Sequence, residues 1–151
     1  MILEFATRYL SFLKGIPFLP HLLDTFVKIE TFITQRKVLD YIDEVRQAVK
    51  TWSDTGESRH RFGGLEFRVF RREIGHIHSN GLLDIYFPMA RRNELVAANI
   101  VEKHHVFPAS GWISFYIRKP EDVATAIALL KESYQRHVTN GPYGPSDPNE
   151  E

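Results

Sequence analysis

His76, His78 and Asp84 lie close together in the stretch REIGHIHSNGLLDIYFP, residues 72–88. Imidazole nitrogens and carboxylate oxygens are ligands for zinc, manganese or iron. A carboxylate-oriented imidazole beside an arginine is also a general acid or base, or an anion-binding group. The same residues on a solvated sheet do less: the carboxylates neutralise a partly charged histidine, each exposed pair contributing about 0–1 kcal/mol. Which chemistry is open depends first on whether these side chains project from one face.

Strand parity gives the geometry, because a one-residue slip in pairing sends every side chain to the opposite face. A two-residue loop at Asn80-Gly81 would pair His78 with Leu83 and put both histidines on the apolar side. A three-residue loop, Ser79-Asn80-Gly81 with Gly81 left-handed, pairs His76 with Asp84 and Ile77 with Leu83, and keeps the apolar face whole. The same test on a preceding turn at Phe70-Arg71-Arg72 pairs Glu66 with His76 and Phe67 with Gly75. Glu66, His76 and Asp84 are therefore expected in one row, with opposed Cβ atoms about 4.5–5.5 Å apart. His78, Arg68 and Tyr86 share that face. Trp112, Ser114, Tyr116 and Arg118 join it if Ile113, Phe115 and Ile117 point inward.

The candidate ligand-binding set is accordingly Glu66, Arg68, His76, His78, Asp84, Tyr86, Trp112 and Arg118, with His76, His78 and Asp84 as the candidate metal ligands. On the irregular stretch Glu102–Gly111, adjacent residues of extended chain point opposite ways, so at most one of His104 and His105 reaches the sheet. His21, His60 and His137 are given no partner by this reading.

The elements that must position the row change character along the chain. Residues 1–33 are rich in Leu, Ile and Phe. Glu4, Arg8, Lys14, Asp24, Lys28 and Glu30 interrupt every apolar run short of the ~18 residues a membrane span needs. Two amphipathic helices broken near Gly15-Ile16-Pro17 are expected there. Residues 36–52 carry Val38, Leu39, Tyr41, Ile42, Val45, Ala48, Val49 and Trp52, a helical stripe. Ser53–Ser58 reads as a polar loop. From Phe62 the period becomes two, predicting half-buried antiparallel strands through Phe87 and again over Trp112–Arg118. A short helix over Ala90–Asn99 intervenes. The final helix starts at Pro120 with Glu121 and Asp122 in its first turn, buries Val123, Ile127, Leu130 and Tyr134, and stops at Asn140-Gly141.

The expected fold class is α+β: an antiparallel sheet of about four strands, helices covering one face, and an N-terminal helical segment. One domain is expected over residues 1–138, helical over residues 1–52 and with its core over residues 59–137, followed by a disordered tail 139–151 rich in Pro, Gly and acids. The 151 residues suffice for one core.

Nineteen basic residues balance nineteen acidic ones, which disfavours nucleic acid as a partner. The absence of cysteine removes disulfides and thiolate chemistry and fits a cytoplasmic home. No Gly-x-Ser-x-Gly elbow, flavin motif or nucleotide motif occurs, and Gly63-Gly64 lacks the P-loop lysine. The cofactor is left open by this reading, and these residue types admit a divalent metal.

Arg61-Phe62-Gly63-Gly64-Leu65-Glu66-Phe67 is followed by Glu73-Ile74-Gly75-His76-Ile77-His78 with Gly81 and Asp84. Then come His104-His105-Val106 to Ser110-Gly111-Trp112-Ile113-Ser114-Phe115, and a helix ending Ser133-Tyr134. Over about residues 59–135 these spaced motifs resemble the family of small bacterial and fungal proteins labelled "luciferase domain". The resemblance carries no catalytic role onto His76, His78, Asp84 or His105. The expected function is binding of a small polar or anionic ligand, or of a metal, on the His/carboxylate/Arg face. A metal-dependent enzyme is one alternative. The other is a non-catalytic protein–protein interaction module using the sheet face or the apolar N-terminal helices, which also offer a route to self-association.

Overall fold

The structure, a computed structural model, describes residues 19–60 and 63–142, with side chains from residue 33 on. The expected break near Gly15-Ile16-Pro17, the side chain of His21 and residues 143–151 lie outside the described residues. The chain divides into two compact units, Met1–Arg36 and Lys37–Glu151. In the first, the described residues are helical from Leu19 on, within helix α1 (Leu19–Lys50). Among the described residues no helix is long and apolar enough to cross a membrane.

In the second unit, the last turns of α1 bury Val38, Val45 and Val49, with Tyr41, Ile42 and Trp52 packed partly against the core. Leu39, expected within the stripe, is 52% exposed. The helix period turns it away from the face that Val38 and Val45 share.

The sheet has six antiparallel strands in the order β1-β2-β3-β4-β6-β5. They are β1 (Thr55–Arg59), β2 (Leu65–Val69), β3 (Arg72–Ile77), β4 (Leu82–Tyr86), β5 (Glu102–Lys103) and β6 (Trp112–Tyr116). The sequence reading of about four strands missed β1 and β5, both at sheet edges. TGESR in β1 has no apolar alternation because almost every side chain is exposed; β5 is only two residues long. Charged, short edges of this kind discourage pairing with another chain.

Between β3 and β4 the three-residue loop is as expected: His78 N–H donates to Leu82 O, and His76 faces Asp84 while Ile77 faces Leu83. Gly81 sits at φ +85, and a Cβ there would come within 2.5 Å of the Ile117 carbonyl oxygen. The β2–β3 turn differs from expectation. It is the two residues Phe70 and Arg71, both left-handed at φ 52 and 77, the signature of a type I′ hairpin loop. Val69 then pairs with Arg72 and Arg68 with Glu73, after which the register shifts so that Phe67 pairs with Gly75 and Glu66 with His76. Ile74 is the extra residue of a β-bulge. One residue expected in the turn is thus held in the strand, and both arrangements give the same pairing at His76.

The apolar sheet face carries Phe67, Ile77, Leu83, Ile85 and Ile113, all nearly fully buried. Helix α3 (Pro120–Asn140) lies on it through Val123, Ala126, Leu129 and Leu130. Gly75 permits the close approach, since a Cβ there would meet Leu130 Cδ2 at 2.9 Å. Asp122 accepts from the Arg118 and Lys119 amides at the start of α3. At its end the Arg72 guanidinium donates to the carbonyls of His137 and Gly141, a cation at the negative pole of the helix. The short helix α2 (Met89–Ala97) buries Leu95 and Arg92.

Candidate metal centre

Register across the three central strands sets His76 beside Asp84 and Asp84 beside Ser114. The bulge adds a fourth group. Residues three apart on a regular strand point to opposite faces, but with Ile74 bulged, Glu73 joins His76 on the polar face, and Glu73 Oε1 lies 2.5 Å from His76 Nδ1. On the far side of Asp84, the Ser114 hydroxyl donates to Oδ1 at 2.6 Å.

The polar row is buried rather than solvent-facing, which corrects the expectation of a wet face: His76 is 6% exposed and Asp84 0%. Aromatic rings cover it. His60, beyond the end of β1, stacks on His76 with centroids 3.7 Å apart and planes 9° from parallel. Trp112 lies 5.6 Å from His76, and His104 lies 6.0 Å from Trp112. His104 reaches the row while His105 is exposed, as the alternation argument allowed. The loop that carries His104 is fixed from α2, where the buried Arg92 donates to the Pro108 carbonyl.

Three imidazoles converge on one atom. Asp84 Oδ2 lies 3.5 Å from His76 Nε2, 3.4 Å from His78 Nε2 and 3.6 Å from His104 Nε2, yet among the described residues no donor meets this buried oxygen in hydrogen-bonding geometry. Burial disfavours charge on His76, but the carboxylates of Asp84 and Glu73 beside its two nitrogens outweigh it and push its pKa up to about 9. Burial likewise opposes ionisation of Asp84, and its interactions with His76 and the Ser114 hydroxyl outweigh that, holding its pKa below the ordinary value. Burial lowers the pKa of both His60 and His104.

Among the described residues, two sets of side chains bring three potential ligand atoms within 4.8 Å of one another: His76, His78 and Asp84, and His60, Glu73 and His76. Ring orientation separates them. An imidazole lone pair lies in the plane of its ring, so a metal about 2.0–2.1 Å from two nitrogens must sit in both planes. The His60 and His76 rings are stacked, with centroids 3.7 Å apart and planes 9° from parallel, so no point within bonding reach of both nitrogens lies in both planes. The His76 and His78 rings are nearly perpendicular, at 84°, and their Nε2 atoms approach the same oxygen. Two ligands about 2.1 Å from a tetrahedral ion are about 3.4 Å apart, against about 3.0 Å for neighbours in an octahedron. The 3.4 and 3.5 Å spacings around Asp84 Oδ2 match the tetrahedral case.

The other expected site residues are dispersed. Glu66 is in register with His76, but its carboxylate is taken by Arg68. Tyr86 packs edge-on against Trp112. Arg118 stacks on Tyr116, 4.3 Å from the ring centroid, and has no contact with the imidazoles among its described interactions. Glu73 and His60 are the residues that sequence reasoning missed, and for His104 it allowed a place at the sheet without choosing between it and His105. Only a bulge signal before Gly75 could have revealed Glu73, and His104 is brought in by loop geometry.

A family model described as "Luciferase domain" matches residues 71–133. The matched span contains Glu73, His76, His78, Asp84, His104 and Ser114. No curated protein and no solved structure matches the chain.

Proposed function

We propose that this chain, which carries a luciferase domain over residues 71–133, binds a divalent transition metal, zinc by preference, through His76 Nε2, His78 Nε2 and Asp84 Oδ2. The observation that carries the reading is Asp84 Oδ2, a buried carboxylate oxygen that meets no donor in hydrogen-bonding geometry among the described residues, facing imidazole nitrogens at ligand-to-ligand spacing. A buried, unsatisfied anionic oxygen is costly, and a cation among these atoms satisfies it. Glu73 supports the reading from the second sphere: by accepting from His76 Nδ1–H it fixes the tautomer that presents Nε2, an arrangement common behind metal-bound imidazoles. When bound, such an ion supplies Lewis acidity to an oxygen ligand beside it.

The competing occupant is a proton, favoured by the raised pKa of His76. In that reading Glu73, protonated His76 and Asp84 form a buried ion triad, and the site recognises anions without a metal. Calorimetric titration with zinc, together with elemental analysis of protein dialysed against it, decides between them. The expected result is about one equivalent bound. His78→Ala, at the more exposed ligand, should weaken binding more than about a hundredfold, since even outer partners of a ligand are worth 10- to 100-fold. Wild-type protein that takes up no zinc, manganese or iron, with an unchanged melting temperature, sinks the metal reading.

A further inference from the structure

His104 looks like a fourth ligand, and its hydrogen bonds say otherwise. Its Nδ1 accepts from two backbone amides, Val106 N–H and Phe107 N–H, both at 3.1 Å. An imidazole nitrogen that accepts carries no proton, so the neutral ring must hold its hydrogen on Nε2. Turning the ring over would place a carbon against both amides and leave them without an acceptor. Nε2–H therefore faces Asp84 Oδ2 from 3.6 Å, beyond hydrogen-bonding distance, and has no lone pair to offer a metal. His104 also falls outside the set of three that gathers ligand atoms within 4.8 Å.

Resting on the metal reading above, we propose that this is a three-ligand centre with an open coordination position, which takes a small oxygen or nitrogen anion from solution, and that His104 Nε2–H is a hydrogen-bond donor to that anion. Closed four-ligand centres are structural, whereas three protein ligands leave a place for water or substrate. The tautomer lock on His104 is what keeps the fourth imidazole from closing the centre. The substrate class that follows is a molecule presenting a monodentate anion, such as a carboxylate, to the metal. His78 is the ligand with solvent access, its side chain 28% exposed against 7% for His76 and 1% for Asp84, so entry is from its side.

Two measurements test the proposal. In 15N-labelled protein without added metal, long-range ring spectra should show His104 with its proton on Nε2; a proton on Nδ1 overturns the lock without touching the metal reading. In protein loaded with cobalt(II), the visible spectrum should shift saturably on titration with azide. His104→Ala should keep about one equivalent of cobalt(II) while azide binds roughly tenfold more weakly, the scale of one hydrogen bond to a charged group. His104→Gln, which keeps an N–H donor and a similar volume, should recover some of that loss. A cobalt spectrum insensitive to azide, or loss of cobalt in both variants, identifies a closed centre with His104 as ligand and overturns the proposal. Failure of the wild type to bind cobalt removes the metal reading and this one together.

Discussion

His76 is held from both sides, by Glu73 at Nδ1 and by Asp84 near Nε2, and its two nitrogens answer to different tests. Glu73→Gln leaves an acceptor at Nδ1 but removes its charge, so the imidazole becomes less basic. Zinc affinity should fall about tenfold, the low end for an outer carboxylate, while circular dichroism stays unchanged; an unaltered affinity refutes the role given to Glu73. The proton on His76 also sets a pH dependence. Its pKa is raised from 6.5 to about 9, so in metal-free protein the ion triad stabilises fully below pH 6.5 and that contribution is lost as pH climbs through about 9. A metal must displace the same proton, so affinity rises over the same interval, by up to about tenfold per pH unit. Melting curves with and without zinc at pH 6.5, 7.2 and 8 should diverge progressively. Curves that stay parallel would show that no proton is exchanged for metal.

At the scale of elements, the loop after β3 carries the phase of the whole site. Gly81→Ala puts a Cβ at φ +85 and against the Ile117 carbonyl, which should cost about 2–4 kcal/mol of stability by chemical denaturation. A loss under about 0.5 kcal/mol would mean that the loop readily adopts another form. That loop was legible in the sequence because only one register keeps Ile77 and Leu83 together, and burial of a whole apolar face enforces it. The polar row and the placement of Ser114 follow from the same parity. Three things were not legible, each for a local reason. A type I′ turn built from Phe70 and Arg71 has none of the usual Asn-Gly signal. β1 has no burial to imprint a pattern on its residues. His104 arrives on a loop whose shape depends on Arg92 holding Pro108, a contact with no trace in periodicity.

Across the second unit, the sheet separates two kinds of interior. One face is a hydrocarbon core under α3; the other is a buried polar cluster under imidazole and indole rings. The polar interior is costly to desolvate unless its charges are compensated, so ligand binding and stability are coupled there. Saturating zinc should slow amide exchange for openings that separate β3 from β4, by a free energy of RT ln(1 + [L]/Kd). Exchange at the β1 edge, which contributes no proposed ligand, should be unaffected. Uniform slowing over the sheet would instead indicate a global effect, and no slowing at β3 and β4 would contradict ligands on both strands.

The extra residue at Ile74 has a consequence for how such a centre could diversify. Moving one residue from strand to turn conserves chain length and leaves His76, Ile77 and everything after them where they are. It would rotate Glu73 into the hydrocarbon layer and strip the imidazole of its rear carboxylate. Lewis acidity at the ion would then change with no ligand replaced, tuned by the address of a single amino acid along the hairpin.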